Sequence, residues 1–240
     1  MKRHTFKVAG LALTGGIVEN PSAKATVILC HGIPSGGPHD PTDAGYPGLA
    51  EQFSSAGYRA VWFNFRGARD SEGEFTHHGW IEDLAGVIDL VSAEGPLFVV
   101  GSSAGGAVAL NHAESDPRVK GVATLAAPAY WTRDSSLFDH WRRIGLIPTE
   151  VDIDEEQWWS ELEQAPAADS ASRLGQPLLI VQGTADAVVP PSHAELIYDA
   201  AREPKQLLML EGGGHQLRRD PRAIEAVLGW LGSLTSWPSG

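Results

Sequence analysis

The chain predicts an α/β protein: a mostly parallel sheet of about eight strands with helices on both faces. Three observations carry that expectation. Short apolar runs alternate with segments of helical spacing, in regular β-α-β-α order. The runs are apolar almost throughout rather than at every second residue, the mark of strands buried on both faces. At 240 residues and 42% hydrophobic content, the chain can fill one large core.

The elements follow in order. Residues through Glu19 read as one or two strands, or a hairpin, at the sheet edge. TVILC, Thr26 to Cys30, is a β-rich run ending at His31 and Gly32. Beyond a Gly/Pro/Asp-rich loop, Pro47 to Ala56 has helical spacing and stops at Gly57. Tyr58 to Phe65 is a strand, Trp80 to Val91 a helix, Pro96 to Val100 a strand, Gly105 to Ala113 a helix and Val119 to Leu125 a strand. Strands are expected again at Pro177 to Gln182 and Gln206 to Leu210, and helices at Pro191 to Ala201 and Pro221 to Leu231. One segment breaks the rhythm. Residues 128–173 are too long for a single crossover helix and are rich in Trp and acidic side chains, so they are read as a helical cap inserted within a single domain of residues 1–240.

Bulk properties restrict the partners. A net charge of −12, with Lys and Arg scattered, argues against nucleic acid and anionic membranes, both of which call for basic patches. The single cysteine, Cys30, permits no intramolecular disulfide and fits a reducing compartment. The N-terminus lacks the apolar stretch of a signal peptide, and no apolar run approaches the roughly 20 residues that span a bilayer. The expectation is a soluble, cytoplasmic protein, monomeric or homodimeric.

In open parallel sheets, reactive groups gather beyond the carboxyl ends of the strands. Here those positions are His31 to Ile33, Asn64 to Asp70, Gly101 to Gly105, Ala127 and Pro128, Gly183 to Asp186, and Gly212 to His215. They include GSSAG, Gly101 to Gly105, the one frame that fits G-x-S-x-G, with Ser103 at its centre. A serine on a sharp strand-to-helix turn needs glycines two residues away on either side, because side chains there would strike neighbouring elements. A phosphate-cradling loop is the competing reading, but neither G-K-[ST] nor G-x-G-x-x-G is present. His215, in EGGGHQ after the last strand, could take the serine proton. Asp186, in GTADAVVP, could hold the Nδ1–H of that histidine. Each has an ordinary alternative, a loop histidine and a turn or helix-capping aspartate. The order Ser, Asp, His is that of a nucleophile elbow. The amides of Ile33, in HGIP, and Ala104 are the candidate oxyanion donors. His31 is expected to brace its loop.

These segments together resemble the α/β-hydrolase superfamily over nearly the whole chain: HGIP from His31, NFRG from Asn64, GSSAG from Gly101, GTAD from Gly183 and GGH ending at His215. The chain is most similar to small serine hydrolases that carry an N-F-R-G-x-G-x-S-x-G loop. Here that loop reads NFRGARDSEG, with Arg69 where the pattern has glycine. The resemblance implies a nucleophile on the elbow, an acid after the penultimate strand and a histidine after the last, at Ser103, Asp186 and His215.

Other residues carry weaker signals. The cap aromatics include Tyr130, Trp131, Phe138, Trp141, Trp158 and Trp159. They either pack on one another or roof an apolar substrate pocket; Trp131, Trp141, Trp158 and Trp159 are the candidate substrate contacts. Asp152, Asp154, Glu155 and Glu156 read as a solvated face or a helix N-terminus. The adjacent His77 and His78 would diverge by about 100° on a helix, which favours surface or capping roles over a shared metal. His39, Asp40 and Asp43 have no partner cluster at metal-ligand spacing. Cys30 reads as a small core residue. Arg69 and Asp70 border the expected cleft.

The function expected from this set is hydrolysis of a carboxylic ester with a short- to medium-chain acyl group, through a serine acyl-enzyme and without cofactor or metal. The partner is then a small-molecule ester. A thioester, an amide or acyl transfer would use the same groups, and a non-catalytic binding protein could keep the same fold.

Overall fold

The structure, a computed structural model, describes residues 2–34, 42–91, 95–149 and 153–235. The two-residue turn at Ala9 and Gly10, both at positive φ, joins β1 (Lys2–Val8) to β2 (Leu11–Val18) as an antiparallel hairpin. The chain then runs through β3 (Thr26–Cys30), α1 (Gly45–Ser55), β4 (Arg59–Phe63), α2 (His77–Val91), β5 (Leu97–Ser102), α3 (Ala104–Ala113) and β6 (Val119–Leu125). Three helices follow before the sheet resumes: α4 (Ser135–Arg143), α5 (Glu155–Glu163) and α6 (Ala167–Arg173). The remainder is β7 (Leu178–Gly183), α7 (Ser192–Ala200), β8 (Lys205–Leu210), a 3-10 turn at Leu217–Arg219 and α8 (Pro221–Thr235).

The eight strands form one sheet in the order β1-β2-β4-β3-β5-β6-β7-β8, parallel from β4 to β8. The hairpin at its edge agrees with the reading of the first residues. The order reverses between β3 and β5, since β3 feeds β4 on one side while β5 lies on the other. A crevice opens at such a switch point, beyond the carboxyl ends of the strands. Register brings the loops there together, because Cys30 lies opposite Gly101, Ser102 opposite Leu125 and Gly183 opposite Leu210.

Alternation along each strand divides the core. Ile28 and Cys30 face a layer with Trp80, Leu84, Leu110 and the helices between β6 and β7. Val27 and Leu29 face the opposite layer with Phe53, Tyr58 and Trp230, under α1 and α8. The apolar runs of β3, β5 and β7 are therefore buried on both faces, as expected, whereas β8, at the edge of the sheet, is only partly buried.

One departure from the periodicity moves a candidate residue. Helix α2 begins at His77 rather than Trp80, because Thr76 Oγ1 accepts the Gly79 N–H at 2.9 Å and caps the first turn. That extra turn buries His77, whose Nε2–H donates to Asn111 Oδ1 at 2.8 Å. A surface role thus fits the exposed His78, beside Glu82, and is corrected for His77. Asp154 N-caps α5, its Oδ1 accepting from Glu156 N and Gln157 N, in keeping with the reading of that acidic run as a helix N-terminus.

Candidate active site

Ser103 stands between β5 and α3 at φ +53° and ψ −126°, a conformation that L residues rarely adopt. The turn is held by Ser103 N–H donating to Leu125 O at 2.8 Å and by Gly106 N–H donating to Ser103 O at 2.8 Å. The flanking glycines have the reason the spacing implied. A Cβ on Gly101 would lie 2.3 Å from Gly105 O, and one on Gly105 would lie 2.3 Å from His31 O. A third close approach has no signal in the G-x-S-x-G spacing: a Cβ on Gly32 would come within 2.7 Å of Ser103 Cβ. Glycine is required there for the loop after β3 to pass the serine.

The structure brings the three separated candidates together. Ser103 Oγ is 3.1 Å from His215 Nε2, and His215 Nδ1 is 2.9 Å from Asp186 Oδ2. The Asp186 side chain is fully buried and accepts four hydrogen bonds. Oδ1 takes the N–H groups of Val188 (2.8 Å) and Val189 (2.9 Å), while Oδ2 takes Gln182 Nε2–H (3.0 Å) and His215 Nδ1–H. Burial pushes its carboxyl upward, but the donors from His215, Val189 and Val188 outweigh it and hold the group below its usual value. An ionised Asp186 keeps the proton on Nδ1, which leaves the Nε2 lone pair facing the serine hydroxyl. Gln182 has no counterpart among the residues picked from the sequence. It lies inside an apolar strand run, and nothing local marks it as a carboxylate partner.

Ile33 and Ala104 both line the cavity above Ser103. Gly106 and Ala107 give their N–H groups to Ser103 O, so the earlier amide of Ala104 remains at the open end of α3, where a helix has no internal acceptor to offer. His31 sits beneath this loop. Its Nδ1–H donates to Gly32 O at 2.6 Å, and its Nε2 accepts the Phe65 N–H at 3.0 Å. Burial among Tyr46, Phe65 and Trp80 lowers its pKa to about 4, so the ring is neutral and ties the β3 loop to the β4 loop. Cys30 is fully buried, and burial pushes its thiol well up, away from nucleophilic chemistry.

A cavity of about 450 Å³ opens over Ser103 and His215, with walls that are mainly apolar and aromatic. Trp131 and Trp141 line it, together with Tyr130, Leu137, Val188 and His193. Trp158 and Trp159 do not, which corrects their assignment as substrate contacts. Both are buried side chains of α5 itself: Trp158 packs edge-on against Phe138 at 5.2 Å, and Trp159 Nε1–H donates to Glu155 Oε1. Tyr130, Leu137 and Val188 are among the large apolar side chains left exposed, at 46%, 40% and 69%, and all three border this cavity. Position offers a signal for two of them, since Tyr130 follows the end of β6 and Val188 follows Asp186.

Arg69 and Asp70 are exposed and do not line the cavity. Arg69 nonetheless adopts φ +54°, a left-handed backbone that favours glycine, the residue of the related pattern at this position. Arg66 braces this loop instead, with its Nε and Nη2 donating to Asp83 Oδ1 and its backbone N–H to Asp83 Oδ2. Asp43 pairs with Arg218; His39, Asp40 and Asp152 lie outside the described residues. Among the described residues no cluster of three metal-ligating side chains occurs, and no helix is long and apolar enough to cross a membrane.

Comparison with known proteins agrees with this architecture. The family model described as serine aminopeptidase, S33, matches residues 21–148, and that of TAP-like protein matches residues 156–232. The uncharacterized protein YfhR of Escherichia coli (strain K12) is 27% identical over 199 residues, which cover 81% of this chain; the chain spans 64% of the length of that relative. Among solved structures, the α/β hydrolase GrgF from Penicillium sp. sh18 superposes with a TM-score of 0.77 at 19% identity, covering 98% of this chain and 99% of the other. The esterase domain of a Rhodothermus marinus protein does so at 0.68 and 25% identity, over 97% and 96%. With one family model matching more than half of its length and this sheet order beneath it, the chain belongs to the α/β-hydrolase superfamily, in the family described as serine aminopeptidase, S33.

Proposed function

We propose that this protein is a serine hydrolase acting on carboxylic esters with short- to medium-chain acyl groups. The observation that carries the proposal is the Ser103–His215–Asp186 relay, at 3.1 and 2.9 Å, facing an apolar and aromatic cavity. Ser103 Oγ attacks the ester carbonyl while His215 Nε2 takes its proton, and Asp186 stabilises the imidazolium. The amides of Ile33 and Ala104 receive the oxyanion, each such donor being typically worth roughly 10²–10³ in rate. Collapse of the tetrahedral species expels the alcohol, protonated by His215. Water then attacks the acyl-enzyme, giving its proton to His215, and departure of the acid returns that proton to Ser103. Residues 128–173 act as the cap of a single domain: Tyr130, Trp131, Leu137 and Trp141 form the roof, while Trp158 and Trp159 stiffen it from behind. The esterase domain from Rhodothermus marinus, similar over nearly the whole chain, lends support.

The family description favours a second reading, cleavage of a peptide-like amide at a free N-terminus. Recognition of an α-ammonium calls for a carboxylate, and among the described residues the cavity lining contains no Asp or Glu. The ester reading therefore comes first. The test is turnover of p-nitrophenyl acetate and butyrate by the wild type and Ser103→Ala, with covalent labelling by a serine-directed phosphonate. The expected outcome is a loss of several orders of magnitude with the label on Ser103. Equal slow turnover in both proteins, with no label at Ser103, would sink it.

A further inference from the structure

We infer that His193 is a substrate-selecting hydrogen-bond donor, and that the preferred substrates carry a neutral acceptor oxygen, such as a ketone, ether or hydroxyl, at a distance from the scissile ester. The inference rests on the hydrolase reading above and specifies what its cavity recognises.

His193 lies in the first turn of α7 and lines the cavity beside Tyr130, whose ring sits 4.7 Å away at a 31° tilt. Its Nδ1 accepts the backbone N–H of Ala129 at 3.0 Å. A backbone amide has no other proton state, so Nδ1 carries no hydrogen while that bond stands. The neutral ring must then hold its proton on Nε2. Protonating Nδ1 would set two N–H groups against each other, and burial also disfavours the cation. The outcome is one orientation and one tautomer, with Nε2–H on the ring edge opposite Ala129. Among the described residues no protein acceptor takes that Nε2–H.

A fixed, unpaired donor in a mainly apolar wall is a recognition element. An alkyl group placed against it leaves the N–H without water or partner, whereas an acceptor oxygen satisfies it. The charge of the ligand follows from the surroundings. The lining contains no Lys or Arg among the described residues, and the ionised Asp186 lies near enough to His193 to act on its titration. His140 is the remaining imidazole of the lining outside the relay, so an anionic group would gain no permanent counter-charge and would meet that field; the acceptor is therefore neutral. His193 takes no part in proton transfer to the leaving group, because neutral imidazole is too weak an acid at Nε2.

The donor can be removed without removing the brace. In His193→Asn the side-chain oxygen occupies the place of Nδ1 and can still accept from Ala129, but nothing reaches the position of Nε2. In His193→Gln the amide nitrogen reaches the Nε2 position, and the bond to Ala129 is lost. The experiment measures kcat/KM for p-nitrophenyl hexanoate against analogues with an ether oxygen or ketone at carbon 3, 4 or 5. A second pair of butyrate esters, butyl against 2-methoxyethyl, places the oxygen on the alcohol side. The readout is the ratio of oxygenated to plain substrate, taken in each protein, so that intrinsic reactivity cancels between wild type and variant. The wild type should favour at least one oxygen position about 10-fold over its His193→Asn ratio, the scale of one partly buried hydrogen bond. His193→Gln should retain part of that preference, and the pair in which it occurs shows whether the oxygen lies on the acyl or the alcohol arm. Nitrogen-15 NMR of the wild-type imidazole should show the Nε2–H tautomer at neutral pH. Hydrolysis of the whole series with ratios unchanged by His193→Asn, or an Nδ1–H tautomer, overturns this inference alone. No turnover of any ester overturns the esterase reading and this inference with it.

Discussion

Asp186→Asn tests the relay at its buried end. The replacement is nearly isosteric but cannot satisfy the four donors that converge on the carboxylate. If the new NH₂ takes the place of Oδ1, it faces the N–H groups of Val188 and Val189. If it takes the place of Oδ2, it faces Gln182 Nε2–H and His215 Nδ1. In that second orientation His215 can keep a bond only by giving up the Nδ1 proton, and the ring then presents N–H rather than a lone pair to Ser103. A serine without a base, and an imidazolium without its counter-charge, should lose about 10³–10⁴ in kcat, the scale of the same exchange in a serine protease triad. That is about 4–5.5 kcal/mol of transition-state stabilisation. Either orientation also strands at least one buried donor, so the fold should lose about 1–3 kcal/mol. The assay is kcat and KM on p-nitrophenyl butyrate, with urea unfolding of both proteins alongside. Retention of more than a tenth of wild-type kcat by a folded Asp186→Asn would refute the reasoning. It would mean that Asp186 positions the loop after β7 rather than the histidine.

Two further outcomes separate packing from contact and fix a pH dependence. Trp158→Ala should cost about 3–5 kcal/mol in urea unfolding, because its ring is buried among Phe75, Phe138 and Trp141. Trp131→Ala should instead raise KM with a smaller loss of stability; the reverse pattern would mean that the assignment of wall and buttress is inverted. His31 is held neutral, its folded pKa lowered from 6.5 to about 4. Its contribution to stability is therefore complete above pH 6.5 and is lost as pH falls through about 4, because the unfolded chain binds the proton first. The wild type should lose up to about 3 kcal/mol more than His31→Gln across that window, read by urea unfolding at each pH. Parallel pH profiles for the two proteins would show that His31 is free to ionise in the folded state.

The candidate relay was legible because its constraints are local. A serine on a strand-to-helix turn needs glycines on both sides, and the structure shows which backbone atoms fill that space. Asp186 and His215 stand just beyond consecutive strands, so parallel pairing alone carries them to one edge of the sheet. The roof of the cavity obeys no such rule. Which face of α4 or α5 turns inward depends on how the helices between β6 and β7 seat on Phe75, a tertiary fact with no period in the sequence. Trp141 and Trp158 are therefore indistinguishable by spacing, although one lines the cavity and the other supports it. His77 escaped for a related reason: Thr76 supplies a cap one turn before the apolar pattern begins, and that turn carries the ring into the interior.

Backbone strain adds information that side-chain patterns miss. Four non-glycine residues among those described have positive φ: Ala9, Arg69, Ser103 and Ala126. Ala9 belongs to the hairpin turn at the sheet edge. The other three follow β4, β5 and β6 in turn, at the carboxyl edge where Ser103 faces His215. Each costs about 1–2 kcal/mol for an L residue and persists only where neighbours overdetermine it. At Arg69 the restraint is visible in Gly67 N–H donating to Glu72 O, Ala68 N–H to Phe65 O and Ser71 Oγ–H to Asn64 O. Departure from glycine at position 69 therefore leaves the loop in the left-handed shape, at a cost its own hydrogen bonds absorb. Strain gathers on the rim that carries Ser103, while no described non-glycine residue at the opposite ends of those three strands has positive φ. That asymmetry singles out the edge that holds the candidate site, independently of the chemistry of any side chain.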